Sequence, residues 1–311
     1  MSTTTDEPLG GELSGSSDVM VIGDLMVDVV AVHRTPIAAG SDTAAHIHLN
    51  GGGSAANTAA WLGTLGEHPR LLAAVGDDDL GRRAVTELTD GAVHFVGPTL
   101  IGEITGTCVV LVGPDGDRTM LPDRGANDRL PVSAIVDSFD PLPDWVHLSG
   151  YTLLGEGSRN AGKAAISAAL AARCMVSIDA ASAAPLKSVG ASAFLDWIEG
   201  ASIVFANDAE IEALGGVQAM LTKVASVAVK HGPAGASWTD GIDAVVADGL
   251  PVDLVDSTGA GDAFAAGWIA ARRAGDDSEG ALNAAVAAGA TAVTRDGARP
   301  VAPIPPPAHP T

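Results

Sequence analysis

Short apolar segments alternate with longer stretches that have the pattern of Ala-rich or amphipathic helices. Residues 19–23, 71–75 and 175–178 are apolar runs of strand length, while residues 54–65 and 159–172 have the length and composition of helices. Because short apolar strands that alternate with helices are typical of sheets buried on both faces, the pattern predicts an α/β fold with a mostly parallel central sheet and helices on both faces. The same pattern predicts strands at 145–148, 203–205 and 227–229 and helices at 262–274 and 281–293.

Two segments depart from this alternation. Residues 43–49 alternate apolar and polar positions, and residues 106–120 contain two short apolar runs around a turn signal at 114–116 (PDG). Both patterns are typical of antiparallel strands with one solvated face. We therefore expect a small antiparallel β lid, built from segments at about 33–50 and 98–122, over the carboxyl ends of the parallel strands. Sheets of this kind bind ligands at that end.

The composition is that of a folded domain. Of 311 residues, 47% are hydrophobic and 18% are charged, which suffices for a sizeable core. No Ser/Pro-rich linker divides the chain, so we expect one domain over residues 18–302. It is flanked by a disordered tail at 1–17, rich in Ser, Thr and Gly, and by a Pro-rich tail at 303–311. Residues 1–17 contain no Lys, no Arg and no apolar core, unlike a signal peptide.

The charge excludes two classes of partner. Lys and Arg number 17 against 38 Asp and Glu, so the formal net charge is -21. Nucleic acids and anionic membranes both require a basic surface, and we expect neither as a partner. An anionic ligand must then be held by backbone amides, a metal ion or a few local cations. Cys108 and Cys174 are far apart and indicate neither a disulfide framework nor a zinc site, which fits a reducing, cytoplasmic location.

The segment at 252–264 (VDLVDSTGAGDAF) carries the clearest chemical signal. We expect a strand up to Asp256, then a turn of small residues, and a helix that begins near Asp262. The turn consists of Gly259, Ala260 and Gly261. Exposed amides in such a turn combine with the positive end of the helix to hold an anion. A carboxylate beside that anion repels it unless the carboxylate has a task, such as accepting a proton from an attacking hydroxyl group.

Taken alone, this segment is open to two interpretations of equal weight. It is either an anion site or a tight strand-to-helix turn in which Asp262 is merely a charge near the helix N-terminus. A dinucleotide-binding turn, and with it a nicotinamide-dependent oxidoreductase, is disfavoured because Phe264 stands where the third glycine of that fingerprint is required.

A second constellation lies near the start of the chain. Gly51, Gly52 and Gly53 precede a predicted helix of small residues, which lets a flat ligand approach the backbone closely. Asn57 offers a donor and an acceptor on that helix, and Asp28 offers paired acceptors for the vicinal hydroxyl groups of a sugar. On these residues alone, a glycine hinge with Asp28 as a surface charge is the simpler interpretation.

In combination, these segments resemble the ribokinase-like (PfkB) family of small-molecule kinases. Residues 52–57 (GGSAAN) resemble its N-terminal signature, and residues 256–262 (DSTGAGD) resemble its C-terminal signature, which is highly specific. The match extends over about residues 18–302. Five further elements of the family's pattern follow in order at 76–81 (GDDDLG), 125–127 (GAN), 207–210 (NDAE), 232–235 (GPAG) and 294–298 (TRDGA).

The resemblance implies a ribokinase-like fold and phosphoryl transfer from ATP, with Mg²⁺, to a hydroxymethyl group. It makes Asp262 the base that deprotonates this hydroxyl group. The amides of Gly259, Ala260 and Gly261 would stabilise charge on the moving phosphoryl group. The acceptor would be held by Asp28, Gly52, Gly53 and Asn57.

The resemblance also implies sites for the phosphoryl donor and for ions. Asn207 and Glu210 would orient Mg²⁺ through water molecules, because Mg²⁺ gives up its hydration shell reluctantly. The backbone carbonyls of Asp256 and Thr258 would hold a monovalent cation such as K⁺. The nucleotide would be contacted by Lys230, Gly232 and Gly235 along the triphosphate and by Ala285, Ala288 and Gly289 beside adenine.

One departure from the family's pattern bears on the acceptor. Ribokinases have a Glu after the mid-chain strand to hold the sugar, and the matching position here is Gly150. The string at 147–150 (HLSG), together with Arg124, looks more like ketodeoxygluconate kinases and fructokinases, so acceptors of those kinds are favoured over ribose. Arg124 would pair with the carboxylate of an acidic sugar or, equally, form a salt bridge of the lid.

Two alternatives to a sugar kinase stay open. A nucleoside kinase of the same family would need apolar or aromatic lid residues to cover a second base, and aromatic residues are scarce there. A non-catalytic sugar or nucleotide sensor would be expected to lack the base, yet Asp262 is present. We also expect a homodimer in which lid strands pair between two copies and so cover their edges.

Overall fold

Residues 18–300 are described by a computed structural model, and the tails predicted at 1–17 and 303–311 lie outside the described residues. The strands within residues 18–300 are β1 (Val19–Gly23), β2 (Met26–His33), β3 (Ala45–Gly52), β4 (Arg70–Ala73), β5 (Val75–Gly76), β6 (His94–Phe95), β7 (Thr99–Leu100), β8 (Gly106–Val112), β9 (Arg118–Asp123), β10 (Trp145–Ser149), β11 (Met175–Asp179), β12 (Ile203–Asn207), β13 (Val227–Lys230), β14 (Gly235–Thr239) and β15 (Ala244–Asp248). The helices are α1 (Ser54–Thr64), α2 (Asp79–Thr89), α3 (Val132–Ser138), α4 (Tyr151–Leu154), α5 (Arg159–Ala171), α6 (Ala183–Val189), α7 (Ala191–Trp197), α8 (Asp208–Ala213), α9 (Val217–Leu221), α10 (Ala260–Ala274) and α11 (Ser278–Ala292), with 3-10 turns at Gly125–Arg129 and Gly232–Ala234.

Nine of the strands form one sheet in the order β15-β14-β13-β12-β11-β10-β1-β4-β6. All neighbouring pairs in it are parallel except β13/β14 and β14/β15. The predicted α/β architecture with a mostly parallel sheet is therefore confirmed. The apolar run predicted as one strand at 71–75 is divided between β4 and β5.

The alternation of side chains along β1 divides the core in two. Val19 and Val21 face one side of the sheet, where they pack with α1, α2, α10 and α11. Met20 and Ile22 face the other side, where they pack with α3 to α7 and α9. Helices thus cover both faces, and the loops at the carboxyl ends of the strands are left to build a site. No helix within residues 18–300 is long and apolar enough to cross a membrane.

A second sheet, in the order β3-β2-β8-β9, forms the predicted lid. The predicted bounds were wrong: the lid begins at Met26, and the strand at Thr99–Leu100 lies outside it, paired with β5. Two of its three strand pairs, β2/β3 and β8/β9, are antiparallel as predicted, whereas β2 and β8 run parallel. The reason is connectivity: β2 continues from β1 through Asp24 and Leu25, and the chain passes through the main body before it returns as β8.

The strand predicted up to Asp256 was wrong, since residues 251–258 form a loop without regular secondary structure. The backbone N–H groups of Val255 and Asp256 both donate to the carbonyl oxygen of Val293, at 2.8 and 3.2 Å. The segment is thereby tied to the C-terminal end of α11 instead of to a neighbouring strand. Its apolar side chains, which gave the pattern of a buried strand, face outward, and Leu254 is 70% exposed.

Small residues let α10 and α11 pack closely. A Cβ placed on Gly267 of α10 would lie 2.7 Å from the carbonyl oxygen of Ala284 and 2.9 Å from the Cβ of Ala288. Ala285 is completely buried at the same contact. This close approach holds α10, which carries the predicted base, against the rest of the domain.

Gly267→Ala should destabilise the fold, because the added methyl group collides with backbone atoms of α11. Overpacking of this kind costs about 1–3 kcal/mol. The higher helix propensity of Ala returns ~1 kcal/mol, so we expect a net loss of about 1 kcal/mol in the free energy of unfolding, measured by denaturant titration. Gly289→Ala is the matched control, because its added Cβ would be 3.3 Å from its nearest neighbour. An equal loss in both variants would contradict the packing argument.

Candidate active site

Two helices begin at the same place, at the carboxyl end of the central sheet. The residues before α1 and α10 are Gly53 and Gly259, with φ of 94° and 77°. A Cβ on Gly53 would lie 2.5 Å from the carbonyl oxygen of Asp24, and one on Gly259 would lie 2.4 Å from that of Ala298. Both the left-handed backbone and the lack of space require glycine at these positions.

Asp262, in the first turn of α10, joins the two helix starts. Its Oδ1 accepts a hydrogen bond from Ser54 Oγ at 2.8 Å, and its Oδ2 accepts one from Asn57 Nδ2 at 2.9 Å. Burial and the nearby charge of Asp179 raise the pKa of Asp262 to about 7, although these two hydrogen bonds and Lys230 favour the ionised form. A carboxyl group with this pKa can accept a proton near neutral pH.

Asp262 faces a cavity of about 500 Å³ between the central sheet and the lid. This volume is within the range of small-molecule sites. On the lid side, the cavity is lined by Met26, Asp28, Cys108, Met120 and Pro122. On the side of the main body, it is lined by Asp24, Gly53, Ser54, Asn57, Arg124, Tyr151, Leu154, Asp179, Asn207, Glu210, Lys230, Thr258, Gly259 and Gly261.

Two carboxylates lie where the lid meets the main body. Asp28, on β2, is 8% exposed, and burial raises its pKa to about 6 while the charge of Arg299 opposes the rise. A Cβ on Gly52 would lie 2.2 Å from Asp28 Oδ1, so glycine makes room for this carboxylate. Asp24 accepts a hydrogen bond from the Ser54 N–H through Oδ2, whereas its buried Oδ1 has no partner within residues 18–300.

Arg299 contacts the acceptor side of the site and was missed in the sequence, because it lies just after the last recognisable segment. Its Nε donates to Asn57 Oδ1 at 3.2 Å, and its Nη2 donates to the carbonyl oxygen of Gly52 at 2.7 Å. Because Asn57 Oδ1 is occupied by this guanidinium group, the Nδ2 of the same amide is directed towards Asp262. Arg299 thus orients the amide that holds the carboxylate.

Lys230 lies beside the glycine turn at the start of α10. Its Nζ donates to Asp179 Oδ2 at 2.7 Å, and a Cβ placed on Gly261 would be 3.0 Å from that nitrogen. Burial disfavours the charged amine, but Asp179 and Glu210 outweigh it and raise the pKa of Lys230. The site therefore keeps a fixed positive charge next to the turn.

The three amides of the turn are not equivalent. The N–H of Ala260 donates to the carbonyl oxygen of Ser257 at 3.3 Å, so it is already engaged within the turn. The N–H groups of Gly259 and Gly261 have no acceptor within residues 18–300. Both glycines line the cavity, and their amides are available to an anion.

Asn207 and Glu210 form a reciprocal cap at the start of α8. Glu210 accepts from the N–H and from Nδ2 of Asn207, at 2.8 and 2.7 Å, and both residues line the cavity. Within residues 18–300, no group of three or more His, Cys, Asp or Glu side chains could hold a metal ion by itself. One carboxylate and one amide fit Mg²⁺, which keeps several water molecules and binds through few protein oxygens together with phosphate.

Arg124 lines the cavity next to the only tyrosine of the chain. Its Nε donates to Asp128 Oδ1 at 2.7 Å, and its guanidinium carbon lies 5.9 Å from the centre of the Tyr151 ring. Its Nη2 is buried and has no partner within residues 18–300. One nitrogen of Arg124 thus forms a local salt bridge while another lacks a partner, and its pairing with a ligand stays a prediction.

Ala285 and Ala288, predicted to lie beside adenine, are buried, and their contact with a nucleotide stays a prediction. Ala285 is 0% exposed and Ala288 is 8% exposed, and both pack against Gly267 of α10. Their small side chains allow the close contact between the two helices. Gly289 is partly exposed near the start of α10, and its contact with a nucleotide stays a prediction.

Gly150 does not line the cavity, and its contact with the acceptor stays a prediction. Its N–H donates to the carbonyl oxygen of Asp179 at 2.8 Å, and a Cβ on it would lie 2.4 Å from that oxygen. Glycine is needed there for close backbone packing. Gly232 and Gly235 lie in the turn between β13 and β14, also outside the cavity lining, and their contact with a nucleotide stays a prediction.

The loop before α10 is held by the carboxylate of Asp256, which is 6% exposed. Asp256 Oδ1 accepts from the N–H of Thr258 at 2.6 Å, and Oδ2 accepts from the N–H of Gly297 at 3.1 Å. Arg118 of the lid strand β9 reaches the same point: its Nη1 is 2.5 Å from Asp256 Oδ1 and 3.1 Å from Thr258 Oγ1. Sequence reasoning missed Arg118, because no sequence pattern near residue 118 indicates a contact with Asp256 and Thr258, which lie far along the chain.

Comparisons with known proteins agree with this geometry. The sequence profile of the pfkB family carbohydrate kinases matches residues 16–305. An ATP-dependent ribose-1-phosphate kinase from Halopiger xanaduensis is 35% identical over 292 residues, which cover 90% of this chain and 93% of that protein. Adenosine kinase from Sinorhizobium meliloti superposes with a TM-score of 0.84 at 25% identity, covering 92% of this chain and 97% of its own. An E. coli protein assigned as a ribokinase II, solved in complex with ATP and Mg²⁺, gives a TM-score of 0.81 at 26% identity. The match covers 91% of this chain and 94% of that protein.

The Asp262 carboxyl group should titrate near pH 7, and Asn57→Ala should raise its pKa further. The variant loses a hydrogen bond to the ionised form, which is worth about one pKa unit. Titration of the side-chain carboxyl carbon by ¹³C NMR measures both values. Asn50→Ala is the matched control, because it removes an amide that does not contact Asp262. A wild-type pKa near 4 would contradict the electrostatic account of the site.

Proposed function

The chain belongs to the pfkB family of carbohydrate kinases, and we propose that it transfers the γ-phosphoryl group of ATP to a hydroxymethyl group of a sugar that carries an anionic group. The observation that carries this proposal is Asp262, which has a pKa of about 7 and is held by Ser54 and Asn57. It lies in a cavity that also contains free backbone amides and Lys230. A base, an anion cradle and a fixed cation are the parts that phosphoryl transfer to an alcohol requires.

Asp262 would take the proton of the acceptor hydroxyl group as that oxygen attacks phosphorus. Ser54 and Asn57 each donate to one carboxylate oxygen, so each oxygen keeps a further lone pair that can accept a proton, and Asp262 lines the cavity. Because its pKa is about 7, the carboxyl group is largely ionised above neutral pH. Well below pH 7, the ionised fraction of Asp262 decreases tenfold for each pH unit. Turnover should therefore fall as the pH is lowered.

The moving phosphoryl group would be stabilised by the amides of Gly259 and Gly261 and by Lys230. The amides are at the positive end of α10, and Lys230 lies against Gly261. Such fixed donors reduce the barrier because they need no reorganisation during the reaction. Mg²⁺, when bound, would neutralise charge on the phosphate oxygens of ATP. Glu210 and Asn207 would orient the ion through water molecules.

The acceptor would be held at the opposite end of the cavity by Asp24 and Asp28. Asp24 Oδ1 is a buried acceptor without a partner within residues 18–300, and a sugar hydroxyl group would satisfy it. Asp28 is placed by the lid, so the lid must be in position for the sugar to be bound by both carboxylates.

An anionic group on the acceptor is supported by Arg124. Its buried Nη2 lacks a partner within residues 18–300, and an unpaired buried guanidinium nitrogen is costly. The Halopiger relative is named for an acceptor with a phosphate group. The expected preference against ribose rested on Gly150 and on the likeness of residues 147–150 and Arg124 to ketodeoxygluconate kinases and fructokinases. Because Gly150 lies outside the cavity lining and the Halopiger relative is named for a ribose phosphate, we rank a ribose phosphate beside a ketodeoxygluconate-like acid, and both above neutral fructose.

A nucleoside is the second candidate acceptor. The cavity has an apolar wall formed by Met26, Met120, Pro122, Tyr151 and Leu154, which would pack against a base. The similarity to the Sinorhizobium adenosine kinase also supports a nucleoside acceptor. The cytoplasmic location stays a prediction. So does the lid-mediated homodimer, for which the lid offers exposed apolar side chains such as Ile47, at 63% exposure, and Leu121, at 54%.

Asp262→Asn should reduce kcat by about 10³-fold, because a positioned general base contributes 10²–10⁴-fold, while the affinity for ATP changes little. Release of ADP, assayed with sugar phosphates, sugar acids, neutral sugars and nucleosides, measures turnover and identifies the acceptor. Asp276→Asn, just after the C-terminal end of α10, is the matched control. Full turnover in Asp262→Asn would remove this residue from the role of base.

Arg124→Gln should raise KM for an anionic acceptor by about 10–100-fold, the worth of a hydrogen bond between charged groups. Turnover of a neutral sugar or a nucleoside should change little. Arg129→Gln is the control, because that side chain is 65% exposed and lies near the same turn of chain. An equal effect on neutral and anionic acceptors would show that Arg124 serves its salt bridge with Asp128 and not the ligand.

A further inference from the structure

We propose that Arg118, carried by the lid, is the built-in cation of the loop that precedes α10, at the place where a monovalent metal ion was expected from the sequence. The inference rests on the proposed phosphoryl-transfer role of that loop, and it is independent of the identity of the acceptor. It predicts a protein that needs neither K⁺ nor Na⁺.

The guanidinium group of Arg118 contacts the side chains of Asp256 and Thr258. The backbone carbonyl groups of these two residues were expected to ligate the ion. The Nη1 of Arg118 contacts Asp256 Oδ1 at 2.5 Å and Thr258 Oγ1 at 3.1 Å. Asp256 is 6% exposed, and the Arg118 side chain is 23% exposed, so the pair is shielded from bulk water. The carboxylate is therefore already neutralised by a partner from the same chain.

The remaining contacts of Asp256 leave little room for a metal ion. Its Oδ1 also accepts from the N–H of Thr258 at 2.6 Å, and its Oδ2 accepts from the N–H of Gly297 at 3.1 Å. Three segments of the chain converge on one carboxylate, and each supplies a donor. A metal ion held by the backbone carbonyl groups of Asp256 and Thr258 would lie close to the guanidinium charge, and Coulomb repulsion would weaken its binding.

Arg118 comes from the face of the lid that covers the cavity. Side chains two residues apart on a strand point the same way, so Arg118, Met120 and Pro122 of β9 share a face. Met120 and Pro122 line the cavity. Arg118 extends from this face across to the loop before Gly259. The positive charge thus reaches the loop only with the lid, which links closure over the acceptor to the charge balance of the phosphoryl site.

Thermal unfolding without substrates tests the inference independently of catalysis. The wild type should melt at the same temperature in KCl and in choline chloride, both at about 0.1 M. Arg118→Gln should melt about 2–4 °C lower in choline chloride, and KCl should restore the loss, because the vacated carboxylate can then accept the ion. Arg118→Lys keeps the charge and should behave as the wild type. Arg82→Gln, which removes an exposed arginine of α2, is the control and should show no dependence on the cation.

Turnover in the two salts gives the second readout: the wild type should be indifferent to K⁺, and Arg118→Gln should be activated by it. Stabilisation or activation of the wild type by KCl beyond choline chloride would overturn the inference, and this comparison needs no variant to fold. Failure of K⁺ to restore Arg118→Gln would overturn it as well. Absence of turnover with every acceptor would overturn the proposed function and leave the melting comparison valid.

Discussion

The structure depends on the way a partly buried carboxylate is held where two helices begin. Asp262 of α10 accepts one hydrogen bond on each oxygen from Ser54 and Asn57 of α1. The positive ends of both helices and these donors favour its charge, whereas burial and Asp179 oppose it. The opposing effects leave a group that can lose and regain a proton near neutral pH. The glycines at both helix starts exist because this meeting point has no space for side chains.

The cavity reconciles anion binding with a strongly acidic chain. The net charge of -21 makes the protein as a whole repel phosphate, and five carboxylates line the cavity itself. The negative charge is opposed by three cations, Lys230, Arg124 and Arg118. A side-chain nitrogen of each lies 2.5–2.7 Å from a carboxylate oxygen that holds it in place. Because each of these cations is held at a defined position, a few of the 17 basic residues are enough to bind an anion in the cavity.

The sequence was informative where a property is local. Apolar runs predicted the strands of the main sheet, and the small-residue segments at 52–57 and 256–262 predicted both helix starts. It was misleading where a segment's partner lies far along the chain. The run before Asp256 has the pattern of a strand, but its N–H groups bond to Val293. Arg299 and Arg118 act on residues 242 and 140 positions away, and no local pattern announces such contacts.

The lid grows out of the central sheet without an intervening loop, since β1 ends at Gly23 and β2 begins at Met26. Between them, the side-chain amide of Asn127 bonds both backbone groups of Leu25, at 3.1 and 2.9 Å, as a neighbouring strand would. Leu25 is therefore fixed relative to the main body. Because Asp28 lies only three residues further along β2, this clamp restricts where the carboxylate proposed to hold the sugar can lie relative to Asp262, the proposed base.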